Sequence, residues 1–265
     1  MERAVPQSGV VTSLFRYPVK GLSPEPLADM VLRAGFGLAG DRMYALALGD
    51  TRFDEAAPVP LAKTNFLMLA RNEFLAALST RYDEATVRLS VRRGDEVLAD
   101  EDLRTASGHA AIGELFTRLA GPAARGDIRL VTAPGHRFTD IGAPVPAFMN
   151  CISLINLASL RDLEATLGRS LDQRRFRANV YADGIPAWAE LDWVGREVTV
   201  GGKAMRVVRR TRRCPATNVN PVTAERDADL PKALLARYGH ADLGVYLQVL
   251  EDTTITVGQS LDGPA

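Results

Sequence analysis

Cysteine is nearly absent from this 265-residue chain, with Cys151 and Cys214 the only two. Two thiols exclude a disulfide framework and any all-cysteine zinc or iron–sulfur site within one chain. Histidine is almost as scarce: His109, His136 and His240 lie far apart and form no ligand pair on one helix face. No apolar run approaches the roughly 18–20 residues that cross a bilayer, and the N-terminus holds no hydrophobic signal core. Net charge is missing too, because 32 basic and 32 acidic side chains cancel. That balance argues against recruitment to nucleic acid or anionic membrane by global attraction. Internal repeats and low-complexity segments are lacking as well. These absences describe a soluble protein expected in a reduced, cytoplasmic setting.

What is present is ordinary globular material, 46% apolar and 24% charged, enough for one large domain or two small ones. The β-branched and aromatic stretch 10–17 predicts a strand that stops at Pro18 and turns through Val19-Lys20-Gly21. Further strands are expected at 27–34 and 42–48, with a helix over 72–82. A hairpin is expected around Arg93-Gly94-Asp95. Ile112, Leu115, Phe116 and Leu119 repeat at helical spacing up to Gly121-Pro122, and 121–127 reads as a linker. Beyond it lie strands at 128–132 and 151–155, then a helix over 157–167 capped by Asn156 and closed by Gly168. Strands follow at 179–182, 197–200 and 203–208, the last two joined by Gly201-Gly202. A helix from an Asp229 cap to Tyr238 and strands at 243–250 and 253–257 finish the chain. Many short strands, few helices and no βαβ rhythm predict an α+β fold built on a mixed β-barrel.

The zero net charge hides an uneven distribution. All but four of the basic residues are arginine, the exceptions being Lys20, Lys63, Lys203 and Lys232. Between Glu197 and Glu225 there is no acid, while Lys203, Arg206, Arg209, Arg210, Arg212 and Arg213 fall in that window. A solvated basic face is the bland explanation; an anion site is the sharper one, since guanidinium forks match phosphate and carboxylate. Nucleic acid fits less well, for want of interleaved aromatics. Cys214 ends the run, where neighbouring guanidinium groups favour a thiolate able to act as nucleophile or soft metal ligand. Cys151, within Asn150-Cys151-Ile152, reads as a core residue.

Several motifs carry a resemblance over nearly the whole chain. They are Tyr17-Pro18-Val19-Lys20-Gly21, Gly40-Asp41-Arg42, Arg175-Phe176-Arg177-Ala178-Asn179, Arg213-Cys214 with Asn220-Pro221, and Tyr246 in a late strand. Their order and spacing resemble the MOSC proteins with an N-terminal MOSC barrel domain, and among these the amidoxime-reducing components. The resemblance implies a smaller N-terminal α/β MOSC subdomain over 1–122, whose first strands are available to complete the barrel, and a mixed β-barrel MOSC domain over 128–261. It also implies a molybdenum cofactor, with Cys214 on the metal and Lys20, Arg42, Arg177, Asn179 and Tyr246 against the pterin. Gly21, Met149, Asn150, Arg212 and Arg213 join that expected cofactor shell. Relatives often carry serine at the Gly21 position and small hydroxyl residues before Cys151, so here phosphate contacts are expected to differ.

The activity expected from the resemblance is reduction of N-oxygenated small molecules such as amidoximes, N-hydroxylated bases or N-oxides. No cysteine remains for an iron–sulfur cluster, so electrons are expected from a separate ferredoxin- or cytochrome-type protein with its reductase. Asp183, soon after the Arg177–Asn179 motif, is the candidate proton donor. Two alternatives use the same residues: a carrier of the cofactor or of a Cys214 persulfide, and a metal-free thiol redox protein.

Overall fold

The Gly201-Gly202 pair, with φ of 58° and 75°, makes the left-handed turn that antiparallel hairpins favour and joins Glu197–Val200 to Lys203–Arg212. In the computed structural model, which describes residues 7–264, this hairpin belongs to a closed ring of seven strands. Starting from Lys203–Arg212, the ring passes through Asp242–Val249, Ile152–Asn156, Val180–Asp183, Ser8–Arg16, Ser260–Asp262 and Glu197–Val200. Neighbours are antiparallel except Ile152–Asn156 and Val180–Asp183. A parallel pair needs a crossover, supplied here by the helix Leu157–Leu167. The barrel is therefore mixed, as expected, and its first strand comes from the N-terminal stretch. The reading of residues 1–6 as free of a signal core lies outside the described residues.

Alternation fills the barrel. Val245, Leu247 and Val249 are buried along one strand and pack with Val11, Leu154 and Val180 of the others. Each such side chain contributes about 1.5–3 kcal/mol on full burial. A second core lies under the sheet Ser79–Asp83, Arg88–Arg93 and Glu96–Asp102, where Leu89 and Val91 meet Ile112, Leu115 and Phe116 of the helix Ala106–Ala120. Thr105 caps that helix by accepting the Gly108 N–H at 3.0 Å.

The structure departs from the sequence reading in several places. The strand expected at 27–34 is two strands, Glu25–Leu27 and Asp29–Arg33, and the barrel strand Ser260–Asp262 lies beyond those expected. The helix expected over 72–82 is a 3₁₀ turn, Glu73–Ala77, followed by the strand Ser79–Asp83. Leu75, Leu78 and Tyr82 have helical spacing, but Thr80 and Tyr82 alternate inward against Arg88–Arg93, so sheet pairing wins. The 121–127 linker is packed: Ala124 is buried and its carbonyl accepts the Gly49 N–H at 2.9 Å. Asp229 occupies a cap position without capping; Asn218 accepts the Leu230 N–H instead, at 3.0 Å. The strand expected at 203–208 runs on to Arg212.

That last extension positions the functional residues. Register shifts interrupt Lys203–Arg212 between Val207 and Arg209 and again between Arg210 and Arg212. Bulges of this kind re-aim side chains at the rims of barrels. Opposite the second shift, Gly244 takes φ 80°, and a Cβ there would stand 2.3 Å from the Leu154 carbonyl and 3.2 Å from the Arg213 guanidinium. Only glycine admits that approach.

Candidate functional site

A cavity of about 290 Å³ opens where the basic strand ends. Its walls include the turn carrying Lys20 and Gly21, the loop carrying Phe138 and Asp140, the Arg175–Asn179 motif, and residues 209–214. Tyr246 faces the same space. Among the residues singled out from sequence, the structure brings together Lys20, Gly21, Arg42, Arg177, Asn179, Arg212, Arg213, Cys214 and Tyr246.

Arg42 and Arg177 are held by a buried polar network. Both take the left-handed conformation, φ 50° and 53°, which costs about 1–3 kcal/mol at a non-glycine residue and persists only where surroundings impose it. Their guanidinium carbons lie 4.6 and 4.5 Å from the Tyr17 ring centroid. Arg42 also donates to Asp41 and, at 3.0 Å, to the Arg177 carbonyl; Arg177 donates to the Leu22 carbonyl at 2.7 Å. Asp41 in turn accepts the Tyr17 N–H at 2.8 Å and the Asn179 amide at 3.1 Å. Burial pushes the Tyr17 phenol up to about 12 although both arginines pull it down, so the ring stays neutral between two cations. Asn179 lines the cavity with its amide saturated: its oxygen accepts the Ser153 N–H and hydroxyl, both at 3.1 Å. It locks strands together rather than presenting free donors.

Lys20 is buried and donates to the Phe138 carbonyl at 3.0 Å and to Asp140. Lys63, not singled out from sequence, approaches the other Asp140 oxygen at 3.6 Å. Two of the four lysines thus meet one carboxylate on the cavity wall. Burial lowers the Lys20 pKa against the raising pull of Asp140. Burial would also lower that of Lys63, but Asp140 and the neighbouring Cys214 sulfur outweigh it and the net direction is up. Asp140 itself would be raised by burial; Lys20 and Lys63 hold it down, at about 2. Lys63 and Asp140 escaped the sequence reading because nothing local marks them. The scarcity of lysine was the one available signal.

Two other arginines support the walls. Arg213 donates to the Leu243 and Phe176 carbonyls, each at 2.8 Å. Its fork is committed to backbone, unlike the free anion donor expected. Arg175 is buried beneath the cavity and pairs with Asp227 at 2.7 Å, which also accepts from Arg169 at 2.8 Å and Asn220 at 2.9 Å. The Asn220-Pro221 motif thereby acquires a structural role. Burial would raise the Asp227 pKa, but Arg175, Asn220 and Arg169 hold it at about 2, against about 3.9 when unfolded. A depressed folded pKa contributes stability above pH 4 that is lost as pH falls towards 2, here about 2 kcal/mol. Denaturant midpoints between pH 6 and 2.5 should therefore fall more steeply for the wild type than for Asp227→Asn. Equal slopes would show that Asp227 carries no linkage.

Three expected site residues lie elsewhere. Asp183 ends its strand in a two-pronged ion pair with Arg161 at 2.6 and 2.8 Å. That hydrogen bonding, set against mild burial, holds its pKa down, which makes it a poor proton donor. Asn150 donates outward to the Gly35 carbonyl at 2.8 Å, and the Met149 carbonyl accepts the Thr139 hydroxyl at 3.1 Å; neither residue lines the cavity. Gly21 fits its place for backbone reasons, since φ is 85° and a Cβ would sit 3.1 Å from the Leu67 carbonyl. Cys151 does reach the cavity wall, with burial pushing its thiol up to about 12.

Chemically, the cavity offers one half-exposed thiol among cations. No group of three His, Cys, Asp or Glu side chains converges among the described residues, so any metal at Cys214 would need its other ligands from a bound molecule. Free donors are present for such a molecule. The Tyr246 hydroxyl on the cavity wall makes no hydrogen bond among the described residues, and Arg209 and Arg212 line the same space. An anionic organic chelator with soft ligand atoms fits this donor set.

Comparison with known proteins agrees in part. Residues 141–262 match the family model for the MOSC domain. Mitochondrial amidoxime-reducing component 1 of Mus musculus is 33% identical over 89 residues, 34% of this chain and 26% of the relative. Mitochondrial amidoxime reducing component 2 of Rattus norvegicus is 34% identical over 101 residues, 37% of this chain and 29% of the relative. The chain thus spans less than a third of the curated relatives it matches. Among solved structures, the YUAD protein from Bacillus subtilis gives a TM-score of 0.41 at 9% identity over 97% of this chain and 96% of that one. YiiM from Geobacillus stearothermophilus gives 0.34 at 22% identity over 43% and 54%. No helix among the described residues is long and apolar enough to cross a membrane.

Proposed function

With residues 141–262 a MOSC domain, a type associated with molybdenum-cofactor binding, we propose that this chain binds that cofactor and reduces N-oxygenated small molecules, amidoximes among them. The observation that carries the reading is the partly exposed Cys214 thiol in a cationic cavity where the Tyr246 hydroxyl has no hydrogen-bond partner among the described residues. Cys214 would ligate the metal, while Lys20, Arg42 and Arg177 would offset the charge of the pterin and its phosphate. When bound, the group supplies two-electron oxygen-atom chemistry.

The protein's own part is placement and electrostatics. The Asp41–Asn179 network fixes Arg42, and Asp140 fixes Lys20. Tyr246 keeps a phenolic hydrogen available to a substrate oxygen, because burial raises its pKa more than Arg213 and Arg42 lower it. Lys63 holds a proton beside Cys214. For an amidoxime the balance is two electrons and two protons in, one amidine and one water out. Electrons would come from a separate ferredoxin- or cytochrome-type donor. A reducing cytoplasm would keep Cys214 free.

The test is purification from a host that makes the cofactor, with assays for molybdenum, released pterin and benzamidoxime reduction by reduced methyl viologen. Near-stoichiometric metal with turnover is expected. Absence of molybdenum would sink the proposal, and metal without turnover of any N-oxygenated probe would favour the carrier role.

A further inference from the structure

The acid-free basic strand contains two arginines that the fold does not use. Lys203 pairs with Glu251 at 3.1 Å, Arg206 with Glu197 at 2.8 Å, and Arg210 with the Leu191 carbonyl at 2.7 Å and Asp192 at 3.1 Å. Arg213 is committed to backbone carbonyls. Arg209 and Arg212 have neither an ion pair nor a side-chain hydrogen bond among the described residues. Both line the cavity and also the shallow groove beside it, so they form its rim. In an unbroken strand, residues three apart point to opposite faces. The register shift between Arg210 and Arg212 interrupts that alternation and lets both reach the same rim.

Thr211 lies between them. It is 5% exposed, lines the cavity, and its hydroxyl has no hydrogen-bond partner. A buried hydroxyl without a partner costs about 1–3 kcal/mol, and the chain supplies none to Thr211 among the described residues. A small molecule entering the cavity can meet it.

Resting on the proposed reductase reading, we infer that Arg209, Thr211 and Arg212 form an oxyanion subsite at the cavity rim. It binds a carboxylate or phosphate carried by the substrate at a distance from its N–O group. Two guanidinium forks and one hydroxyl match the acceptor oxygens of such a group. The enzyme's preferred substrates are then anionic N-oxygenated compounds rather than neutral ones. The same oxyanion chemistry could be supplied by the phosphate of the cofactor, and the two sources give different outcomes.

The experiment uses cofactor-loaded protein, wild type and R209Q/R212Q. Calorimetry compares binding of 4-carboxybenzamidine and benzamidine, the products of the matching amidoximes. The amidoximes themselves are assayed with reduced methyl viologen, which keeps donor-protein docking out of the readout. Wild type should bind the carboxylate-bearing product about tenfold tighter or better and show a similar preference in kcat/KM. R209Q/R212Q should lose the preference while keeping its molybdenum and its denaturation midpoint. T211V should reduce the preference without abolishing it. No preference in the wild type, or an unchanged one in R209Q/R212Q, overturns the inference. Loss of molybdenum with the preference retained would assign the pair to the cofactor phosphate instead. A carboxylate preference in binding without reduction of either amidoxime would leave the subsite standing and remove the reductase reading.

Discussion

On the proposed cofactor reading, Cys214→Ala is expected to fold normally and to retain less than about one tenth of the molybdenum held by the wild type. Residues that merely orient a metal ligand typically cost 10–100-fold in affinity when mutated, and removing the proposed protein ligand should cost at least as much. Folding should be spared because the structural work at this position is done by the backbone. The Cys214 carbonyl accepts both the Thr217 N–H and the Thr217 hydroxyl at 3.0 Å, and alanine keeps that carbonyl. The side chain itself is only partly buried.

Cys151→Ala is the matched control, since both thiols reach the cavity. Its thiol, pushed up to about 12 by burial, is a poor ligand at neutral pH. This variant should keep its metal and lose about 1–2 kcal/mol of stability through the small void left behind. Metal analysis beside urea denaturation reads both effects. If Cys151→Ala emptied the protein and Cys214→Ala did not, the two roles would be reversed.

Asp41→Ala should cost about 3–5 kcal/mol of stability. Asp41 is buried and serves three partners at once: the Tyr17 N–H, the Asn179 amide and the Arg42 guanidinium. Alanine leaves two donors unsatisfied and removes the countercharge from Arg42, which already shares the Tyr17 ring with Arg177. Asp41→Asn keeps an acceptor for the Tyr17 N–H but lacks the charge, so an intermediate loss of about 1–3 kcal/mol is expected. Denaturant midpoints at constant slope measure both. A loss below about 1 kcal/mol in Asp41→Ala would mean that the network relaxes without it.

Local chemistry made much of the fold legible. Gly201-Gly202 announced a hairpin, Asn156 and Gly168 bounded a helix, and each does so in the structure. Where the sequence reading failed, a distant partner outweighed a local preference. Leu75, Leu78 and Tyr82 are spaced for a helix, yet sheet pairing with Arg88–Arg93 takes the second half of that segment. Asp183 has the right neighbours in sequence and the wrong ones in space, because its strand carries it to Arg161.

By itself, the sequence determined that this protein has a barrel rich in short strands, two free thiols and an acid-free run of cations ending at Cys214. Those properties follow from residue type and spacing, which act over a few residues. Tertiary structure alone decided which cations are free. Arg213 and Arg175 are spent on the chain, Arg42 is fixed by a buried carboxylate and Arg177 by the Leu22 carbonyl, and Arg209 and Arg212 remain open. A guanidinium is available to a ligand only when folding brings no acceptor to it, and acceptors arrive from sequence positions far away.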